Sequence, residues 1–223
     1  MTTPLRSDLP LLVILSCLAL APAPAAAEPF STIYLGYSNT GDAPYTLNGA
    51  PLPPSVACLS QCSSAKSATG GVRVGYWLDS LPWLGFAGDF SAFITGWGIE
   101  SPYEVTVYPV SSLLMLRGRL VKREGFENGR VQPFVAVGPS LLISSATVNS
   151  GWAILGTSAS ASTMTADVGF DARVGIEFLT ADWFGLSLEY RYYWANPTWT
   201  IEGQVVESEI STTQFILGLG VHY

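Results

Sequence analysis

Eleven charged residues stand in segments where polar and apolar residues alternate, and their types suit ion-pair chemistry. They are Arg73, Asp79, Asp89, Arg117, Arg119, Asp167, Asp171, Arg173, Glu177, Glu189 and Arg191. These bases and acids are nearly balanced in number. Gathered in one interior, they could neutralise one another through ion pairs and hydrogen bonds. The same groups could instead line a narrow pore.

His222 is the single histidine of the sequence and therefore the candidate general base. Hydrolytic or acyl-transfer chemistry needs such a base beside a serine nucleophile, with a further polar group that orients the ring. Because His222 is the penultimate residue, we expect it to be a polar interior position of the last strand. The sequence has no phosphate-binding loop or haem motif, so we expect no cofactor.

Cys58 and Cys62 are spaced as "CLSQC". In an exported protein such a pair is expected to form a disulfide. The closed loop is short, so the bond would fix a loop tip more than it would stabilise the fold. A metal site is the alternative, but no histidine or further cysteine lies nearby, and we expect no metal.

Two segments show the alternation most clearly: "DVGFDARVGIEF" at 167–178 and "WFGLSLEYRYYW" at 183–194. Apolar residues, most of them bulky, alternate with glycines and charges, and a period of two residues indicates a β-strand. The same reasoning predicts eight strands, at 30–39, 71–78, 83–95, 104–120, 130–145, 164–179, 183–195 and 208–223. Pro109 predicts a bulge or irregularity in the fourth of them.

The chemistry of the two faces predicts which one points inward. Eight strands enclose an interior just wide enough for side chains, which suits interleaved glycines and charges. The bulky apolar face suits lipid, whereas a soluble ligand-carrying barrel would show scattered Lys and Glu outside. We therefore predict an all-β fold, an eight-stranded antiparallel up-and-down transmembrane β-barrel. Aromatic residues are expected at the two headgroup levels: Trp83, Trp183 and Tyr223 at one, and Trp97, Tyr103, Trp194 and Trp199 at the other.

The connections alternate in length. Long ones are predicted at 40–70, 96–103, 146–163 and 196–207, and shorter ones at 79–82, 121–129 and 180–182. Long loops outside and short turns in the periplasm are typical of outer-membrane barrels. An extracellular ligand would meet the loops, where the acidic residues Asp42, Glu100, Glu202 and Glu207 and the Cys58–Cys62 pair mark the expected binding surface.

The first residues predict export. Arg6 is followed by an apolar run at 9–20 and by small residues ending at Ala27, which is typical of a cleaved signal peptide at 1–27 before a barrel domain at 28–223. Lipidation at Cys17 is the alternative. Hydrophobic residues make up 48% of the chain, yet beyond the signal no apolar run is long enough for a membrane helix. The net charge of −7 argues against nucleic acid as a partner.

The chain ends in "FILGLGVHY", with alternating Phe215, Leu217, Leu219, Val221 and Tyr223. Together with "PFVAVGPS" and "FGLSLEYRYYW", this resembles the small eight-stranded outer-membrane barrels, the group of OmpA-like transmembrane domains and opacity-type surface proteins. The resemblance implies a bacterial outer-membrane location, contact with outer-membrane lipid, and recognition of the terminal residues by the barrel assembly machinery. We expect a monomer.

For function, the resemblance and the charges favour a structural or surface-interaction role, with the lumen filled by charged residues and the outer loops exposed. A small porin-like channel is the alternative. A lipid A-modifying enzyme is a third, but the His-x-Ser pattern of such barrels would require a residue beyond Tyr223. We therefore expect no enzymatic activity.

Overall fold

The computed structural model describes residues 27–41, 45–51, 65–95, 103–122, 124–126, 128–148, 161–201 and 203–223. Every regular element in these ranges is a β-strand. In chain order they are β1 (Ala27–Thr40), β2 (Tyr45–Leu47), β3 (Ala50–Pro51), β4 (Ala65–Leu78), β5 (Leu84–Thr95), β6 (Tyr103–Arg117), β7 (Val131–Val148), β8 (Ala161–Ala181), β9 (Phe184–Ala195), β10 (Thr198–Ile201), β11 (Gln204–Ser208) and β12 (Ile210–His222). The described part of the chain has no helix long and apolar enough to cross a membrane.

Eight of the strands form a closed antiparallel barrel in the order β1-β12-β9-β8-β7-β6-β5-β4. The last strand closes on the first, with pairing that runs from Phe30↔His222 to Thr40↔Thr212. Closure pairs the backbone N–H and C=O groups of both edges, which a strand in hydrocarbon requires. The predicted eight-stranded up-and-down barrel is confirmed.

Alternate residues of each barrel strand face lipid and lumen. On β9, Leu188 is 52% exposed whereas Glu189 is 1% exposed, and the whole strand from Gly185 to Ala195 repeats this pattern. Bulky side chains such as Ile33, Leu35 and Leu217 cover the outside. The chain therefore turns its apolar face outward, as the pattern predicts.

The strand bounds differ from the predicted ones mainly where strands extend beyond the membrane. β4 begins at Ala65 rather than 71, and β8 runs from Ala161 to Ala181. The irregularity predicted at Pro109 is an interruption of the β5–β6 ladder and not a bulge, since the register is the same at Phe90↔Val110 and at Phe93↔Val107. Proline removes one N–H from the ladder without inserting a residue.

A second, four-stranded sheet in the order β10-β11-β2-β3 stands at the end of the barrel that carries the long loops. The β9–β12 pairing ends at Ala195↔Ile210 and resumes in the same register at Thr198↔Glu207. The hairpin β10–β11 is therefore the continuation of the β9–β12 hairpin beyond Pro197. Most of the long connection predicted at 196–207 is therefore a strand hairpin.

The sequence of this hairpin explains why it forms. Trp199 and Ile201 alternate with Thr198 and Thr200, and burial alternates with them. Gly203 takes a positive φ of 80° in the connection, a conformation that glycine adopts without steric cost. A short alternating run followed by a glycine turn is a hairpin signal.

Candidate functional site

The centre of the lumen holds four ionised side chains that are completely buried. Arg173 Nη2 lies 2.7 Å from Asp89 Oδ1 and 2.7 Å from Asp171 Oδ2. Arg191 Nη2 lies 2.6 Å from Asp171 Oδ2 and 3.7 Å from Asp89 Oδ1. Two guanidinium groups and two carboxylates balance in charge, and we refer to these four residues as the central network.

Neutral polar side chains complete the hydrogen bonding of the central network. The hydroxyl of Tyr34 donates to Asp89 Oδ1 at 2.8 Å. Ser111 donates to Asp171 Oδ2 at 2.7 Å. Arg191 Nη1 donates to Ser91 Oγ at 2.8 Å. A buried charge is tolerated when it is both paired and hydrogen-bonded, and these partners meet that condition.

A further ion pair joins two strands of the barrel wall that are separated by β1 and β12. Arg73 on β4 binds Glu189 on β9 through both guanidinium nitrogens, and both side chains are buried. Ser187 donates to Glu189 Oε1 at 3.1 Å. The Arg73 guanidinium carbon lies 5.5 Å from the centre of the Phe134 ring, a cation–π contact.

Below this pair, towards the chain termini, an apolar layer crosses the lumen. Its buried residues are Phe30, Trp77, Ala87, Leu113, Met115, Phe134 and Ala136. The rings of Phe30 and Trp77 stack with centroids 5.6 Å apart. These residues come from β1, β4, β5, β6 and β7, so this side of the lumen is apolar at this depth.

A second polar group lies at the end of the barrel that carries the termini and the short turns. Glu28 accepts hydrogen bonds from Arg117 Nη2 at 2.6 Å and from Asn128 Nδ2 at 2.7 Å. His222 contacts Glu28 Oε1 through Nδ1 at 2.9 Å and Glu177 Oε1 through Nε2 at 3.1 Å. Both ring nitrogens are thus engaged by carboxylates.

A cavity of about 420 Å³ opens beside this second polar group, and Phe126, Asp182 and Trp183 contribute to its lining. Within the described ranges, no three His, Cys, Asp or Glu side chains are grouped as metal ligands would be.

The predicted charged residues do not all reach the lumen. Seven are buried inside: Arg73, Asp89, Arg117, Asp171, Arg173, Glu189 and Arg191. Glu177 and Asp167 are half-buried, and Asp167 accepts a hydrogen bond from Thr165 at 3.0 Å. Arg119 lies just beyond β6 and donates to Asn128 Oδ1 at 3.1 Å. Asp79 is exposed in the turn after β4, so its inward placement was wrong, because the strand ends one residue earlier.

Sequence reasoning missed Glu28, Tyr34 and Asn128. Glu28 and Tyr34 share the inward face of β1 with Phe30, so the alternation of that strand carried the signal. Asn128 lies in the β6–β7 turn, where a period of two gives no information. Cys58 and Cys62 lie outside the described residues, and their disulfide stays a prediction.

The mouth of the barrel at the loop end is filled by apolar side chains. Trp199, Ile201 and Val206 of the β10–β11 hairpin pack against Val107 and Leu142 of the wall, within a larger buried cluster. Trp199 is 2% exposed, and its Nε1 donates to Ser144 Oγ at 3.1 Å. The expectation that Trp199 lies at the headgroup level was wrong, because the alternation of β9 continues in phase through Pro197 and places Trp199 on the same inward face as Tyr193 and Ala195.

The terminal residues singled out by the sequence face lipid. Phe215, Leu217, Leu219 and Tyr223 are exposed on the outer surface of the barrel, and Val221 is half-buried. Their side chains are therefore available on the outside of the last strand.

The family model described as "Outer membrane protein beta-barrel domain" matches residues 12–223. Among curated protein sequences, none matches this one. In solved structures, Neisserial surface protein A is 14% identical with a TM-score of 0.57, covering 87% of this chain and 97% of its own. OprG from Pseudomonas aeruginosa is 12% identical with a TM-score of 0.58, covering 89% and 97%. The N-terminal β-barrel domain of OprF from the same organism is 10% identical with a TM-score of 0.51, covering 89% and 98%.

The three solved structures share with this chain the fold of small outer-membrane barrels. The barrel end with the short turns faces the periplasm in such proteins, and the end with the long loops faces outward. By the match of its sequence along nearly the whole length, the chain belongs to the outer-membrane β-barrel domain family and is located in the bacterial outer membrane.

Proposed function

We propose that this protein is a closed barrel that anchors a surface-interaction module in the outer membrane and does not conduct solutes. The observation that carries this proposal is the insertion of Trp199 into the outer mouth of the lumen, where its ring is buried and its N–H is bound. The loop-end sheet is built on that anchor and is the part of the described chain best placed to meet an external partner.

The closed state is supported at several depths along the barrel axis. The apolar cluster around Trp199 fills the mouth. The central network occupies the middle with side chains that are completely buried. The apolar layer around Trp77 lies beneath it. A solute would have to displace all three, and breaking a buried ion pair costs about 3–5 kcal/mol.

One observation favours the channel alternative. Ser67, Ser38 and Gln214 are neighbours across β4, β1 and β12, and Ser38 Oγ, Ser67 Oγ and Gln214 Nε2 are buried without a hydrogen-bond partner in the described part of the chain. A strip of such groups along one wall of the upper lumen would suit water or a small polar solute. This candidate ranks second because the strip ends at the central network, where Gln214 meets Arg191.

Planar-bilayer recording of the refolded protein separates the two candidates. We expect no steady conductance from the wild type or from Trp199→Ala, because the central network still blocks the lumen in that variant. Steady channels in the wild type, with ion selectivity altered in Arg191→Ala, would overturn the closed barrel. Gln214→Leu serves as a second variant that adds no charge, and channels abolished by it would assign conduction to the polar strip.

We propose no catalytic role for His222, since carboxylates bind both ring nitrogens and hold the imidazole in the wall. The protein should release or transfer no acyl chain on lipid A. Acyl chemistry that is present in the wild type and lost in His222→Ala would contradict this.

A further inference from the structure

The bases of the barrel domain that are not buried in the lumen are concentrated in one periplasmic turn. Between β6 and β7 the sequence carries Arg119, Lys122, Arg123 and Arg130, with Glu124 and Glu127 as the acids of the same segment. Arg123 and Glu127 lie outside the described residues. The remaining base, Lys66, lies on β4 at the loop end. We refer to residues 119–130 as the basic turn, and its excess of bases attracts anions.

Lys122 and Arg130 lie across the basic turn from each other. Arg130 N donates to Val121 O at 3.2 Å, which places the Arg130 backbone beside the residue that precedes Lys122. Both basic side chains are exposed. The Arg130 guanidinium carbon lies 5.8 Å from the centre of the Phe126 ring, a cation–π contact that orients the group. These two cations are therefore placed to contact one anionic group together.

Two large apolar side chains are exposed in the same turn. Leu120 is 53% exposed and Val121 is 61% exposed. The bridge Leu120↔Val131 keeps the register of Leu116↔Val135, so Leu120 shares the outward side of the β6–β7 ribbon with Leu116. The lipid-facing side of β6 therefore continues beyond the end of the strand, directly beside the bases.

Val121 is held in a strained backbone conformation. Its φ of 56° lies in the left-handed region, which a β-branched residue rarely adopts. The bridge at Leu120 and the hydrogen bond from Arg130 N hold the residue on both sides. Strained residues persist only where the surrounding structure over-determines them, and they cluster at functional sites. The shape of the basic turn is thus maintained against a local preference of the chain.

The basic turn lies at the depth of the periplasmic headgroups. Arg117 N donates to Trp83 O at 2.8 Å, and tryptophans at a barrel rim mark the edge of the hydrocarbon. Leu120 follows three residues later, which along a tilted strand is about 8 Å closer to the periplasm. The headgroup layer is about 5–8 Å thick on each side of a bilayer. Leu120 and the bases beside it therefore lie among the phosphate groups of the lipids.

We propose that the basic turn binds the phosphate group of an anionic phospholipid in the periplasmic leaflet of the outer membrane. Lys122 and Arg130 bind the phosphate oxygens through charge-assisted hydrogen bonds, and Leu120 and Val121 lie against the glycerol and the first carbons of the acyl chains. The lipid must carry a net negative charge, because a zwitterionic headgroup would bring its own ammonium beside these bases. This inference rests on the outer-membrane location and not on the closed state of the lumen.

The test uses the refolded full barrel in detergent with an equimolar mixture of phosphatidylglycerol and phosphatidylcholine that carry the same acyl chains. Native mass spectrometry measures the ratio of the two lipids that the barrel retains. We expect the wild type to prefer phosphatidylglycerol, and Lys122→Gln/Arg130→Gln to lower that preference about fivefold for each base removed. Lys66→Gln, which removes an exposed base at the other end of the barrel, should leave the ratio unchanged. Equal ratios in the double variant and the wild type would overturn the proposal.

Two controls separate the phosphate contact from other effects. Lys122→Arg/Arg130→Lys keeps both charges and should keep the preference, whereas a loss as large as that of the glutamine variant would assign the effect to the shape of the turn and overturn the contact. Glycerol 3-phosphate carries a phosphate without acyl chains and should not displace the bound lipid at equal concentration. Displacement by it would indicate a site for free phosphate esters and would contradict a lipid site.

Discussion

The indole N–H of Trp199 donates to the hydroxyl of Ser144 at 3.1 Å, and this bond joins the loop-end hairpin to the inner wall of β7. The two residues belong to different strands, β10 and β7, yet both point into the mouth of the barrel. The contact makes the outer sheet a part of the folded lumen, because the hairpin cannot move outward without exposing a buried ring.

Replacing Trp199 by alanine should loosen the hairpin while the barrel stays folded. Truncation of a buried aromatic side chain costs about 3–5 kcal/mol, and the loss falls on a sheet whose burial depends on that ring. Amide exchange should become faster across β10 and β11 but not in β5 or β8. Thr200→Ala, an exposed position of the same strand, is the control. Unchanged exchange in the Trp199 variant would show that the anchor is elsewhere.

Removing one partner of the Arg73–Glu189 pair should lower the free energy of unfolding more than replacing both partners does. Glu189→Leu leaves a buried guanidinium without its carboxylate, which destabilises by about 3–5 kcal/mol. The double variant Arg73→Leu/Glu189→Leu should recover much of that loss. Urea unfolding in lipid vesicles, followed by tryptophan fluorescence, measures all three proteins. A double variant that is less stable than the single one would contradict the argument.

Replacing Gly138 of β7 by any larger residue should lower the stability of the barrel. A Cβ built there would overlap the carbonyl oxygen of Ser112 and lie 2.8 Å from its carbonyl carbon. Because these are backbone atoms, Gly138→Ala must displace β6, and overpacking of this kind costs about 1–3 kcal/mol. On SDS gels, the change in mobility that accompanies unfolding of the barrel should occur at a lower heating temperature in this variant than in the wild type. Gly41→Ala is the matched control, since its nearest atom, Ser211 O, is 3.6 Å from the new carbon. Equal shifts in the two variants would refute the prediction.

Deleting Tyr223 should impair assembly in the cell far more than folding in the test tube. Its N–H donates to Pro29 O at 3.0 Å, and its hydroxyl oxygen lies 3.2 Å from Ser31 Oγ. Each such bond contributes about 1 kcal/mol, whereas the side chain itself is exposed and would be available to the assembly machinery. Membrane levels in cells and refolding yields into detergent should therefore diverge. Tyr223→Phe keeps the aromatic ring and should assemble normally, and a truncation that reaches normal membrane levels would contradict a recognition role.

The sequence alone determined the barrel and the direction of its faces. On β9, Leu188 and Glu189 alternate in a segment with too few surface charges for water, so only lipid outside and a filled lumen inside satisfy both. The same reasoning placed Arg173 and Arg191 inside correctly. It depends only on a period of two residues, which is a local property of the chain.

The tertiary structure decided what alternation cannot express. Period two shows that Trp199 and Ile201 share a face. Only the in-register continuation of the β9–β12 hairpin into β10 and β11 shows that this face is the one that points into the lumen. Arg73 and Glu189 are distant in sequence. They form a pair only because closure of the barrel fixes the register of β4, β1, β12 and β9. Pairing and closure act between distant residues, and the local pattern carries no information on them.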